Sequence, residues 1–93
     1  MNVITLRLVL LATDCRSARE KRKRIRAILD RLHQSFNVSV AEVDRLDHPQ
    51  ESVIGVVVVA ATRREARETL ARVTDAVAAH PRAEILDQDT FEA

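Results

Sequence analysis

The sequence predicts an α+β fold of one domain, residues 1–93, with elements in the order strand, helix, strand, strand, helix, strand. Apolar residues alternate with a period of two in the predicted strands and recur at helical spacing in the predicted helices. Each helix is preceded by a capping box, which is a serine or threonine followed three residues later by glutamate. Two strand–helix units joined by a hairpin form a split βαββαβ sandwich, in which four antiparallel strands carry both helices on one face because each crossover is right-handed.

The first strand and the first helix are predicted within residues 3–35. Residues 3–12 alternate, so that one side of the strand is formed by Ile4, Leu6, Leu8 and Leu10. Ser17 and Glu20 form the first capping box, in which the serine accepts from the third backbone N–H while the glutamate reaches back. The helix that follows ends near Ser35. Its apolar stripe contains Ala18, Ile25, Ile28, Leu29 and Leu32.

The second half of the chain repeats the pattern. The remaining strands are predicted at residues 36–43, 53–61 and 83–91. A polar loop at residues 45–52, which contains Pro49, separates the first two of them. Thr62 and Glu65 form the second capping box, and the second helix ends before Pro81. The two most apolar strands, the first and the third, are expected at the centre of the sheet.

Composition bounds the class of protein and its compartment. Apolar residues make up 46% of the chain and charged residues 31%, which is typical of a soluble globular domain. The single cysteine, Cys15, cannot form an internal disulfide, and this favours a reducing cytoplasm. The apolar run at residues 3–12 is short and is broken by Arg7, so no segment is expected to span a bilayer. We therefore expect a cytoplasmic protein with no membrane contact.

Positive charge is concentrated in residues 16–31, which hold eight Lys or Arg side chains against Glu20 and Asp30, a local net charge of +6. The remainder of the chain carries a net charge of −5. Cations in the first turns of a helix oppose its dipole by about 0.3–1 kcal/mol each, and few i,i+4 ion pairs are available to offset them. A solvated helix face is one interpretation, but cations beside free backbone N–H groups also suit phosphate. The predicted nucleic-acid-binding residues are Arg16, Arg19, Lys21, Arg22, Lys23 and Arg26.

The side of the first strand that faces away from the helices is a second candidate surface. Residues 53–61 are apolar on both sides, which is typical of a strand that is covered on both faces. One interpretation is an interface with a partner such as a second copy of the chain, and the other is an apolar sheet shielded by long side chains. The predicted interface residues are Val3, Arg7, Val9 and Leu11. Base stacking on this face is not expected, because the central strands carry no aromatic residue.

No group of residues forms a recognisable catalytic or metal-binding pattern. The loop at residues 13–16 has no glycine, which excludes a glycine-rich phosphate cradle. Cys15 has no second cysteine nearby and is interpreted as an ordinary loop thiol. Asp44, Asp47 and His48 could approach a metal ion, but loop carboxylates beside a histidine are common. We therefore predict no metal, no cofactor and no enzymatic activity.

Two segments have a distinctive sequence: residues 17–22 read Ser-Ala-Arg-Glu-Lys-Arg, and residues 36–43 read Phe-Asn-Val-Ser-Val-Ala-Glu-Val. They resemble the YlxP-like family of small bacterial proteins, which usually has Ser-Leu-Lys-Glu-Lys-Arg in the first segment and matches the second closely. Gly55 with the valines after it and the segment 83–85 extend the resemblance over essentially the whole chain. The resemblance implies a ferredoxin-like fold and a link to ribosome maturation or translation, and it supplies no catalytic residues. One departure is the segment 47–50, which stands where many relatives have Leu-Trp-Gln.

These observations predict a non-enzymatic cytoplasmic accessory protein that associates with ribosomal RNA or a ribosomal subunit through its basic first helix. The alternative is a homodimeric structural or regulatory interaction module that uses the open face of the sheet.

Overall fold

The computed structural model describes residues 1–92 as a four-stranded sheet with two helices. In chain order the elements are β1 (Asn2–Ala12), α1 (Ala18–Ser35), β2 (Ser39–Asp44), β3 (Glu51–Ala60), α2 (Arg63–Ala78) and β4 (Ala83–Glu92). The strands are antiparallel and lie in the order β2-β3-β1-β4. The predicted ferredoxin-like α+β fold is confirmed, including the central position of the first and third strands.

The core lies between the sheet and the two helices and is almost wholly aliphatic. β1 and β3 pair along their length, from Asn2 opposite Ala60 to Leu11 opposite Glu51, so alternate residues of both strands face the helices. The buried residues of the layer include Ile4, Leu6, Leu8 and Leu10 of β1, Ile25, Ile28 and Leu32 of α1, and Leu70, Val73 and Val77 of α2. Each such side chain contributes about 1.5–3 kcal/mol by leaving water.

Both helices begin at the predicted caps. The Ser17 hydroxyl accepts a hydrogen bond from the Glu20 N–H at 3.1 Å, and the Thr62 hydroxyl accepts one from the Glu65 N–H at 3.1 Å. The Glu20 carboxylate does reach back, but it accepts from the Arg16 N–H at 3.0 Å, one residue before the cap. The first turn of α1 is therefore hydrogen-bonded both to its own cap, Ser17, and to Arg16 in the preceding loop.

Two strand boundaries differ from the prediction by a few residues. The second strand begins at Ser39 and not at Phe36, because Phe36 ends α1 by donating its N–H to the Leu32 carbonyl at 2.9 Å and packs against the core. The third strand begins at Glu51, inside the predicted loop. His48 Nδ1 accepts from the N–H groups of Gln50 and Glu51 at 3.0 and 2.8 Å, which closes the β2–β3 turn early. Among residues 1–92, neither helix is long and apolar enough to cross a membrane.

Candidate functional site

Arg19, Lys23 and Arg26 form a row of exposed cations on the outer side of α1. Spacings of four and three residues place the three side chains on one face of the helix, opposite its buried stripe. Among residues 1–92, no acidic side chain lies within 4.0 Å of any of the three charged groups. Asp30 is the acidic residue of this face, one turn beyond Arg26. The structure therefore brings three of the six predicted nucleic-acid-binding residues together on one exposed surface.

Lys21 does not belong to that surface. Its side chain is 0% exposed, and its Nζ donates to Glu42 Oε2 at 2.6 Å and to the carbonyls of Arg45 and Leu46 at 2.9 and 3.1 Å. The Ser52 hydroxyl donates to the same Glu42 oxygen at 2.7 Å. The prediction that Lys21 contacts nucleic acid is therefore wrong, because position 21 falls within the buried stripe of α1 and its charge is used to hold β2, β3 and their connection.

Two more cations of the run also hold loops. The Arg22 guanidinium lies 3.3 Å from Asp47 Oδ1 and 3.4 Å from the Leu46 carbonyl, although the side chain remains half-exposed. Arg24 donates to the carbonyl of Thr13 and, at 3.1 Å, to that of Arg82. Arg22 thus holds the β2–β3 connection, and Arg24 joins the loop before α1 to the turn before β4. Part of the basic run therefore stabilises the fold by binding loops.

A second group of cations, Arg16, Arg31 and Arg82, lies on the side of α1 that faces the turn between α2 and β4. Arg16 and Arg82 line one depression, and all three residues are exposed. Partial burial, together with the positive charges of Arg24, Arg31 and Arg82, lowers the pKa of His80 below its ordinary value of 6.5. Sequence reasoning missed Arg82, because nothing in its neighbourhood along the chain links it to α1.

The other residues with reactive or metal-ligating side chains make contacts within the chain or are buried, although Asp44 and Asp47 remain exposed. The Cys15 side chain is buried in the middle of the β1–α1 loop. Asp44 Oδ1 accepts from the Arg45 N–H at 2.7 Å, Asp47 pairs with Arg22, and His48 accepts the two backbone bonds of its turn. These contacts give each of the four residues a place in the fold.

The open face of the sheet, meaning the side away from α1 and α2, carries all four predicted interface residues. Val3, Arg7, Val9 and Leu11 alternate along β1 on this side, opposite Val59, Gly55, Val53 and Glu51 of β3. Val9 is only 5% exposed, so the prediction that it offers contact area to a partner is wrong. The face is most exposed at Val43, Val59 and Phe91, which are 56–58% accessible and which sequence reasoning did not select.

The open face is also acidic along β4. Glu84, Asp87 and Asp89 lie opposite Leu11, Val9 and Arg7, and all three carboxylates belong to exposed residues. Arg7 approaches Asp89, with 4.0 Å between Nη1 and Oδ2. Negative charge therefore lies on the side of the sheet opposite the cations of α1, so the two surfaces favour different partners.

The two segments that carry the family resemblance contact each other. Lys21 belongs to the first segment and Glu42 to the second, and their charged atoms form the buried ion pair at 2.6 Å. These two residues of the shared pattern therefore form the contact that joins α1 to β2. Of the exposed cations, Arg19 lies inside the first segment, where the family usually has lysine, whereas Lys23 and Arg26 lie outside both segments.

Comparison with known proteins gives the same family. Residues 3–90 match the family described as "Protein of unknown function (DUF503)". The chain is also similar to the "Uncharacterized protein YlxP" of Bacillus subtilis (strain 168), with 32% identity over 71 residues that cover 76% of this chain and 77% of that protein. With a match along nearly its whole length and the fold described above, the chain belongs to the YlxP-like family of DUF503 proteins.

Proposed function

We propose that this protein is a non-enzymatic, cytoplasmic accessory protein that binds ribosomal RNA or a ribosomal subunit through the outer face of α1. The observation that carries the proposal is the row of Arg19, Lys23 and Arg26, three exposed cations without an acidic partner among residues 1–92. Unpaired cations on one helix face attract a polyanion, and releasing its counterions favours binding.

The charge separation across the molecule supports this orientation. RNA approaching the open face of the sheet would meet Glu84, Asp87 and Asp89, whereas RNA approaching α1 meets the cations. Neutralising three phosphates corresponds to a slope of about −2 to −3 in the logarithm of the binding constant against the logarithm of salt concentration. Binding through this row is thus expected to be measurable at low salt and to weaken steeply as salt is added.

A mobility-shift titration against ribosomal RNA at several salt concentrations tests the proposal. Lys23→Glu combined with Arg26→Glu is expected to weaken binding strongly and to lower the magnitude of the salt slope by about one for each phosphate that is no longer neutralised. Arg72→Glu is the matched control, since Arg72 is an exposed arginine on α2. Failure of the protein to bind at low salt would refute the proposal, as would an equal weakening of binding by the control.

Association with ribosomes is tested separately by sedimentation of cell extracts through a gradient. The wild-type protein is expected to travel with ribosomal subunits or their precursors, and the Lys23→Glu/Arg26→Glu variant to remain at the top of the gradient. A variant that sediments with the subunits as the wild type does would show that α1 does not bind them.

A second candidate function is a homodimeric interaction module that uses the open face. Val43, Val57 and Phe91 line a shallow apolar groove there, beside Gly55. Analytical ultracentrifugation distinguishes the two states: a dimer is expected to dissociate in Phe91→Asp and to persist in Gln34→Glu, which changes an exposed residue of α1. A wild-type protein that stays monomeric at high micromolar concentration would rule this candidate out.

A further inference from the structure

Six of the exposed cations without an acidic partner among residues 1–92 lie on two sides of α1, and a seventh, Arg72, lies on α2. The first flank consists of Arg19, Lys23 and Arg26, and the second flank consists of Arg16, Arg31 and Arg82. None of the six charged side-chain groups has an acidic side chain within 4.0 Å among residues 1–92. We infer that α1 binds double-helical RNA, with one phosphate strand along each flank, and this inference rests on the proposed RNA-binding function.

The separation of the flanks follows from helix geometry. Arg19 and Arg31 belong to the same helix, and their positions differ by about 120° around its axis at 3.6 residues per turn. An α-helix with its side chains is about 10–12 Å across, so the flanks lie about one helix diameter apart. Ala27 is exposed on the surface between them, and its small side chain lets a groove approach the helix closely. A single phosphate strand can follow one flank, whereas two strands are needed to occupy both.

The position of the aromatic rings argues against a single-stranded ligand. Proteins that bind single strands stack bases on aromatic side chains and gain about 1–3 kcal/mol for each base. The chain has two rings, of which Phe36 packs against the core and Phe91 lies on the open face, across the sheet from α1. A surface that offers cations and no stacking platform suits duplex RNA, which proteins recognise mainly by its shape, phosphates and 2′-hydroxyls.

Three acidic residues lie near the two flanks. Asp14 and Glu20 line the depression that contains Arg16 and Arg82, and Asp30 follows the first flank. The Glu20 carboxylate is already occupied by the Arg16 N–H at 3.0 Å. These carboxylates lie at the ends of the two rows: Asp30 is on the face of the first flank beyond Arg26, and Asp14 and Glu20 lie beside Arg16 and Arg82.

Fluorescence anisotropy with an RNA duplex of about 20 base pairs, longer than the ~16 base pairs spanned by a double-stranded RNA-binding domain, tests the inference against the separate strands of the same sequence. Neutralisation of six phosphates predicts that affinity for the duplex falls about 10³-fold between about 50 and 200 mM salt. The affinity for a single strand that binds three cations is expected to fall only about 20-fold over the same range. The duplex is also expected to bind more tightly than either strand at low salt.

Charge reversal of the second flank further distinguishes the binding of duplex RNA from the binding of single strands. Arg31→Glu combined with Arg82→Glu is expected to reduce duplex binding to about the level of a single strand and to weaken single-strand binding much less. Arg72→Glu again serves as the control. Equal or tighter binding of the single strands would overturn the duplex inference while leaving the proposed function in place. Failure to bind either RNA at low salt would overturn both.

Discussion

Replacing Lys21 with methionine removes the buried charge of α1 while keeping most of the side-chain volume. The Lys21 ammonium is fully buried and donates to three oxygens, those of the Glu42 carboxylate and the carbonyls of Arg45 and Leu46. The substitution leaves the Glu42 carboxylate, whose side chain is 12% exposed, with the hydroxyl of Ser52 as its remaining donor. The change therefore isolates the contribution of the ion pair from that of packing.

The expected cost is about 3–5 kcal/mol, the range found when one partner of a buried ion pair is removed and the other charge remains. Domains of this kind are stable by about 5–15 kcal/mol, so the variant would lose a large part of its stability. For a urea dependence of about 1–3 kcal/mol per molar, the midpoint of unfolding would move down by roughly 1 M or more. Circular dichroism of the helices during urea unfolding measures this shift directly.

Two further variants make the measurement specific. Lys23→Met changes an exposed lysine of the same helix and is expected to alter stability by no more than about 0.5 kcal/mol. Lys21→Met combined with Glu42→Leu removes both charges and is expected to recover part of the stability, because an apolar pair can replace a buried ion pair at little cost. A destabilisation below about 1 kcal/mol for Lys21→Met, comparable to one ordinary hydrogen bond, would refute the structural role assigned to the lysine.

Three other substitutions are expected to change the stability of the fold in a known direction. The pKa of His80 in the folded protein is below its ordinary value of 6.5, so the unfolded chain binds the proton more readily than the folded chain. The contribution of His80 to stability is therefore complete above pH 6.5 and is lost as pH falls through the folded pKa. His80→Gln is therefore expected to flatten the fall of the urea midpoint below about pH 6.5, and a fall as steep as that of the wild type would contradict this. Gly55→Ala is expected to stabilise the fold by about 0.4–1 kcal/mol, because alanine reduces the conformational entropy of the unfolded chain. The added methyl would meet Val43 at 3.4 Å, which is van der Waals contact, and a lowered thermal midpoint would contradict this expectation. Ser17→Ala removes the cap of α1 and is expected to cost about 1 kcal/mol in urea unfolding, whereas Ser17→Asp should retain most of the stability.

The fold was predictable from patterns that act between neighbouring residues. The alternation in β1 and the capping pairs Ser17–Glu20 and Thr62–Glu65 marked the elements, and the structure contains them at nearly the predicted positions. The start of β3 was missed by two residues. His48 closes its turn with ring-to-backbone hydrogen bonds, and composition alone does not reveal such bonds.

The candidate site was predictable only in part. Arg19, Lys23 and Arg26 follow from helical spacing, because that spacing alone places them opposite the buried stripe. The burial of Lys21 was not apparent, since its acceptors lie 21 to 25 residues further along the chain. The Arg82 carbonyl accepts from Arg24 and from the Thr13 N–H, which are 58 and 69 residues earlier in the chain, so Arg82 joins the second flank through tertiary contacts.

The sequence by itself determined the order of the elements, the helix caps, the aliphatic core and the concentration of charge at residues 16–31. Those properties depend on periodicity and on hydrogen bonds within a few residues, which are visible in the order of residues along the chain. Tertiary structure alone decided which cations remain exposed and which are used internally, and it left Val9 nearly inaccessible on the open face. The physical reason is that a charge or an apolar side chain is buried by groups from distant segments, and only the folded chain brings those groups together.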